Sequence, residues 1–240
     1  MSVAVAERKK YPIYILLDVS ESMRRAAPGR PAPLTEFRQM IPDLMMALAD
    51  SSALTGTAWI RVIAFGDRPV PLCPMTSLAE KVTVKSPPDS VETDYTAALR
   101  YLHEQVGPDL RRIEAHGVRR DYRTKVARPL VFFVTDGAPY AGRRYQSPAE
   151  WLPYRDRLVE PPVEARIAAI GLVGAHPPTL WAMATGQAGG KRNAFVADHD
   201  ASGDGLARSV IDVIQRSITL SVRAGDMVID TPRGMHRVDG

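Results

Sequence analysis

Short runs of Val, Ile, Leu and Phe recur along the chain, separated by turn residues or by segments with helical spacing. The runs at 11–17 (YPIYILL), 59–65 (WIRVIAF), 130–135 (LVFFVT), 165–172 (ARIAAIGL) and 193–197 (NAFVA) have the length and composition of strands. Four are almost continuously apolar, as strands of a parallel sheet covered on both faces must be. A sixth run, PVPLCPM at 69–75, follows the tight turn GDR. Its prolines remove ladder donors, so it reads as an edge strand antiparallel to its neighbour.

Between these runs the apolar period lengthens. Residues 35–50 place Phe37, Met40, Ile41, Leu44, Met45 and Leu48 on one stripe, with Thr35 or an earlier residue as N-cap and Pro42 expected to kink the helix or mark its start. Residues 94–105 and 204–219 repeat the pattern, with weaker helical signals near 147–157 and 178–185. Strand and helix thus alternate, which predicts a doubly wound α/β fold: a mostly parallel six-stranded sheet, one antiparallel edge strand, and helices on both faces. Two stretches depart from this rhythm. Residues 106–129, with seven Arg or Lys, read as a long basic connection, partly helical and solvated, and the tail 223–240 as peripheral or mobile.

Composition adds boundaries. With 240 residues, 45% hydrophobic and 24% charged, the chain suits one domain with a sizeable core. The single cysteine, Cys73, and the absence of Cys/His clusters at zinc spacing favour a reducing compartment. The basic cluster Arg8-Lys9-Lys10 follows the first small apolar run, the reverse of a secretory signal, and no window has the apolar length of a membrane span. A cytoplasmic location without membrane contact is expected. A net charge of +4 does not by itself imply nucleic acid.

In a doubly wound sheet the ligand site lies beyond the carboxyl ends of the strands. There the first strand delivers Asp18, Ser20 and Ser22, whose alternation lets them face one side of an extended loop, and LVFFVT ends on Asp136 followed by Gly137. If these strands are neighbours at the point where winding reverses, two carboxylates meet, and a divalent cation relieves their repulsion. Carboxylates with hydroxyls make a hard oxygen shell suited to Mg²⁺ first, then Mn²⁺ or Ca²⁺, and not to zinc. Neutral hydroxyls leave much of the cation's charge uncompensated, so a further anionic ligand from outside is favoured.

DVSES with a later TDG resembles the metal-ion-dependent adhesion site (MIDAS) of von Willebrand factor A domains, whose pattern is Asp-x-Ser-x-Ser, a Thr on a second loop and an Asp on a third. SVETDYTAALRYL is similar to that second loop, which implies Thr93 as ligand with Thr96 a weaker substitute. The resemblance implies a ligand set of Asp18, Ser20, Ser22, Thr93 and Asp136, with Glu21, Glu92 and Gly137 on the partner-binding rim. YPIYILLDVSESM, RVIAFGD, ARPLVFFVTDGAP and VIQRSITLSV resemble the TerY-type bacterial subfamily of tellurium-resistance and stress clusters. That likeness spans roughly 10–222, leaving 1–9 as an N-terminal extension. It implies a protein partner supplying a carboxylate, in the company of a co-encoded protein kinase and a metal-dependent Ser/Thr phosphatase. Glu21 and Glu92 depart from the family pattern and add negative charge that would tune partner choice.

Competing readings are weighed against this one. A metal-assisted phosphohydrolase with Asp18 as nucleophile would need an acid two residues on, where Ser20 stands, so no enzyme is expected. Nucleic-acid binding through 106–129, using Arg111, Arg112, Arg119, Arg120 and Arg123, has only Tyr122 for base stacking. Asp67 reads as a turn residue and Asp198, His199 and Asp200 as a solvated loop. The scattered histidines His103, His116, His176 and His236 have no paired spacing, and Cys73 reads as a small packing residue.

Overall fold

The computed structural model describes residues 7–26, 31–118, 122–186, 190–198, 206–231 and 233–239. Its strands are β1 (Glu7–Asp18), β2 (Ala58–Phe65), β3 (Val70–Ser77), β4 (Arg123–Val126), β5 (Leu130–Thr135), β6 (Tyr140–Ala141), β7 (Arg144–Tyr145), β8 (Arg166–Gly171), β9 (Ala194–Ala197) and β10 (Met235–Arg237). Helices α1 (Pro33–Ala49), α2 (Tyr95–Val118), α3 (Pro148–Val159), α4 (Pro177–Met183) and α5 (Leu206–Ala224) complete the doubly wound α/β fold.

The main sheet runs β10-β9-β8-β5-β1-β2-β3, with β4 beside the first half of β1. Strands β9, β8, β5, β1 and β2 are parallel, and β3 is the antiparallel edge its prolines imply. Side-chain alternation along β1 explains the two layers. Ile13, Ile15 and Leu17 enter one core with α1 and α5; Tyr14 and Leu16 enter the other with α2, α3 and α4. Cys73 is buried on β3, as a small apolar residue would be.

Helix α1 starts at Pro33 with Ala32, a residue earlier than Thr35, as N-cap, and Pro42 lies inside it, so of the two readings of Pro42 only that of the helix start is excluded. Three local expectations are corrected. The basic connection is mostly regular structure: α2 runs on through Gly107 and Pro108 because Val106, Asp109, Ile113 and Gly117 continue its buried face. Its end, β4, pairs with Glu7–Lys10, so that part of the N-terminal extension belongs to the sheet. The tail is not peripheral either. Met227, Ile229, Met235 and Val238 are buried, and β10 adds a second antiparallel edge beside β9. Arg119, Arg120, His199 and Asp200 lie outside the described residues.

Candidate metal centre

Strands β1 and β5 are neighbours in register, Leu17 opposite Val134, so the chain leaves both at the same height. From β1 the sheet is extended to β2 on one side and to β5 on the other, making this the switch point. Asp18 and Asp136 emerge there together, both buried.

After Asp18 the backbone turns rather than staying extended: Glu21 adopts helical angles and Ser22–Arg24 form a 3₁₀ turn. This turn, not strand alternation, brings the serines together. Ser22 Oγ donates to Asp136 Oδ1 at 2.8 Å, which commits its only proton. Ser20 Oγ, 3.0 Å away, therefore donates to Ser22. Asp18 Oδ1 accepts the Ser20 N–H at 2.9 Å, and Asp18 Oδ2 the Thr135 hydroxyl at 2.6 Å. Thr93 is buried close by: a Cβ placed on Gly137 would lie 3.7 Å from Thr93 Oγ1 and 3.9 Å from Ser22 Oγ. All five ligand residues expected from the sequence thus border one spot. Thr96 is elsewhere, its hydroxyl accepting from Gln146.

Two of the supporting residues, Thr135 and Tyr95, carry no signal in the sequence. Thr135 fixes Asp18 and takes the Gly137 N–H at 3.1 Å; its place beside Asp18 follows from the β1/β5 register. Tyr95 donates to the Gly137 carbonyl at 3.0 Å. Asp67 stays out of the site and organises the second loop: its carboxylate accepts the Val91 and Glu92 N–H groups, and Ser90 Oγ accepts its own N–H. Gly66 is required there, since a Cβ would meet Ser90 Oγ at 2.1 Å. Asp198 pairs with His236 at the sheet edge.

Of the rim residues, Gly137 borders the site, but Glu92 is turned outward. Its carboxylate accepts the Gly142 N–H at 2.9 Å, in the β6–β7 hairpin, whose central residues Gly142 and Arg143 have the positive φ angles of a type I′ turn. Thr93 and Tyr140 exchange backbone hydrogen bonds, so the hairpin is locked to the threonine loop. Glu21 is exposed and paired with Arg25 at 3.1 Å.

The donor set fits a hard divalent cation. Two buried carboxylates face each other with no ion-pair partner for either among the described residues, and three hydroxyls surround them. No group of three His, Cys, Asp or Glu is arranged for a metal among those residues, so the site depends on its hydroxyls. Burial, and then the charge of Asp136, pushes Asp18 up to about 7; burial raises Asp136 as well. An acid whose folded pKa is raised keeps its proton longer in the fold than in the unfolded chain, so stability falls as pH rises between the two values. With chelator present, the Asp18 contribution should decline from about pH 4 to about pH 7, by roughly 4 kcal/mol in all. Thermal unfolding of wild type against Asp18→Asn in EDTA checks this: the stability gap should change across that window, and parallel pH profiles would refute it.

A family profile described as von Willebrand factor type A domain matches residues 13–138. No curated protein matches the sequence. Proximal thread matrix protein 1 of the mussel byssus superposes with a TM-score of 0.59 at 16% identity, over 96% of this chain and 49% of that one. Another structure of the mussel protein has a zinc-occupied MIDAS motif (TM-score 0.47, 18% identity, 75% and 42% coverage). The pilus adhesin SpaC of Lactobacillus rhamnosus GG gives 0.52 at 11% identity, over 90% and 30%. The chain spans about half the length of the mussel structures, and at these identities the likeness establishes the fold. No helix among the described residues is long and apolar enough to cross a membrane.

Proposed function

Because the chain belongs to the von Willebrand factor type A domain family, we propose that it is a cation-dependent protein-interaction module rather than an enzyme. The observation that carries this reading is the pair of buried carboxylates at the sheet's switch point, Asp18 bonded to the Ser20 N–H and Asp136 to the Ser22 hydroxyl, with the two serine hydroxyls in contact and Thr93 bordering them. Ser20, Ser22 and Thr93 would hold the ion with Asp18 and Asp136, and the all-oxygen set makes Mg²⁺ the first choice, then Mn²⁺ or Ca²⁺. When bound, the cation offers a coordination position that a partner's carboxylate can fill. The chain's own residues fix the orientation of the site: Thr135 holds Asp18, Tyr95 holds the Gly137 backbone, and Asp67 holds the threonine loop.

The finer identity is part of the same proposal. The TerY-type resemblance of the first strand, the RVIAFGD turn, the VTDG segment and the last helix supports a cytoplasmic bacterial stress or phosphorylation-linked complex, with a co-encoded kinase and metal-dependent phosphatase as partners. Ser20, where a phosphohydrolase would need its acid, supports binding over turnover. The test is capture of those two proteins, or of any other partner, by wild type and Asp18→Ala in Mg²⁺ and in EDTA. Partners should be retained only by wild type with metal; equal capture by both proteins under both conditions contradicts the proposal.

A further inference from the structure

Beside the metal centre lies a cleft of about 520 Å³ that the ligand pattern does not use. Ala138 and Pro139 on its wall directly follow Asp136 and Gly137, and Gly174, which also lines it, packs so close to that loop that a Cβ there would be 3.1 Å from the Asp136 carbonyl oxygen. Tyr145, Trp151 and His176 complete the part that matters. The cleft therefore shares a wall with the loop that carries a metal ligand.

Its lining is chiefly apolar. Tyr145, on the hairpin that is locked to the Thr93 loop, is 71% exposed. Val91, two residues before Thr93, is 59% exposed, and Val173, just after β8, is 47% exposed. Three large apolar side chains thus stand in water on loops around the site, where apolar exposure marks a binding surface. Trp151, almost wholly buried, contributes its ring to the cleft wall.

We propose that this cleft is the specificity pocket of the interaction site. It takes an apolar, preferably aromatic, side chain of the same partner segment whose Asp or Glu reaches the cation. Continuity with the metal loop argues for one occupant making both contacts. The carboxylate alone would accept any acidic partner, whereas burial of an aromatic ring adds enough to discriminate among them. This rests on the cation-dependent reading above.

The probe is a set of short synthetic peptides with one fixed Glu and a single aromatic, aliphatic or glycine residue placed one to four positions to either side. Binding is followed in Mn²⁺ and in EDTA. For wild type, an aromatic residue at one particular spacing should raise Mn²⁺-dependent affinity at least tenfold over glycine. Ala138→Leu and Tyr145→Ala, which fill the cleft and strip its rim, should lose that preference while binding Mn²⁺ as wild type does. Cation-dependent binding without side-chain preference, or preference unchanged in both variants, overturns the pocket alone. Absence of any Mn²⁺-dependent peptide binding overturns both the pocket and the interaction reading. A metal-dependent dimer in sedimentation would assign the cleft to a second copy and overturn the partner assignment.

Discussion

Asp18→Asn should abolish divalent-cation binding, lowering affinity by more than about a hundredfold, while the metal-free variant becomes more stable than metal-free wild type at pH 8. The affinity loss follows because even residues that only orient a ligand cost 10- to 100-fold, roughly, when removed, and Asp18 is one of two carboxylates in the set. The stability gain follows from the surroundings. Asparagine is isosteric and uncharged. Its carbonyl can accept the Ser20 N–H as Asp18 Oδ1 does, and its amide can face Thr135, whose proton then turns to the Gly137 carbonyl 3.4 Å away. What is lost is the negative charge of Asp18, whose pKa is already pushed up to about 7 by its own burial and then by the charge of Asp136. Cation at about ten thousand times the dissociation constant should reverse the order, since wild type then gains roughly 5 kcal/mol, more than the roughly 4 kcal/mol that the buried charge costs, and the variant gains nothing. Calorimetric titration with Mn²⁺ and Mg²⁺, and unfolding midpoints with metal and with EDTA, read out both halves. Affinity within threefold of wild type, or a variant less stable than wild type in EDTA, would contradict the assignment of Asp18.

The crossover separates two roles that a simple alanine variant would merge. Asp18→Ala removes the Ser20 and Thr135 hydrogen bonds together with the charge, so a loss of function there could reflect a loosened loop. With asparagine the hydrogen-bonding shape persists and the charge alone is removed.

The centre of the molecule was legible in the sequence because β1, β2, β5 and β8 are buried on both faces and so announce themselves as apolar runs. Their carboxyl ends then locate Asp18 and Asp136 without further information. The geometry that makes the site was less legible. Thr135 reads as the last residue of a strand, and its bond to Asp18 depends on which strands are adjacent. The β6–β7 hairpin consists of two-residue strands, too short for any periodicity, yet it locks the Thr93 loop and builds the neighbouring cleft. Glu92, read as a charge on the rim, is the residue that ties that hairpin down. At the periphery, β4 (RTKV) is half-exposed and charged, so only its pairing with Glu7–Lys10 makes it a strand. Gly107 and Pro108 hid the continuation of α2, whose buried face includes a carboxylate, Asp109, that no apolar pattern would include.

That carboxylate carries the second large effect. Arg61, in the middle of β2 and beside Tyr14 of β1, is almost fully buried, and Asp109 meets it in a two-pronged pair: Nε to Oδ2 at 2.8 Å and Nη2 to Oδ1 at 2.6 Å. Asp109→Ala leaves the guanidinium buried without its counter-charge and should cost 3–5 kcal/mol, roughly, a large share of the roughly 5–15 kcal/mol that holds a domain together. Arg61→Met should be comparably harmful, because it strands the carboxylate instead. The double variant Arg61→Met/Asp109→Leu should recover most of the loss, since two apolar side chains of similar volume need no compensation. Urea unfolding at pH 7 measures all three. Cation affinity of folded Asp109→Ala should stay near that of wild type, because the first turn of α2 is fixed separately: Asp94 caps the Ala97 N–H, and Gln146 binds both Asp94 and the Tyr95 N–H. A cost below about 1 kcal/mol, or a double variant no more stable than the singles, would mean that the pair is not the clasp between β2 and α2.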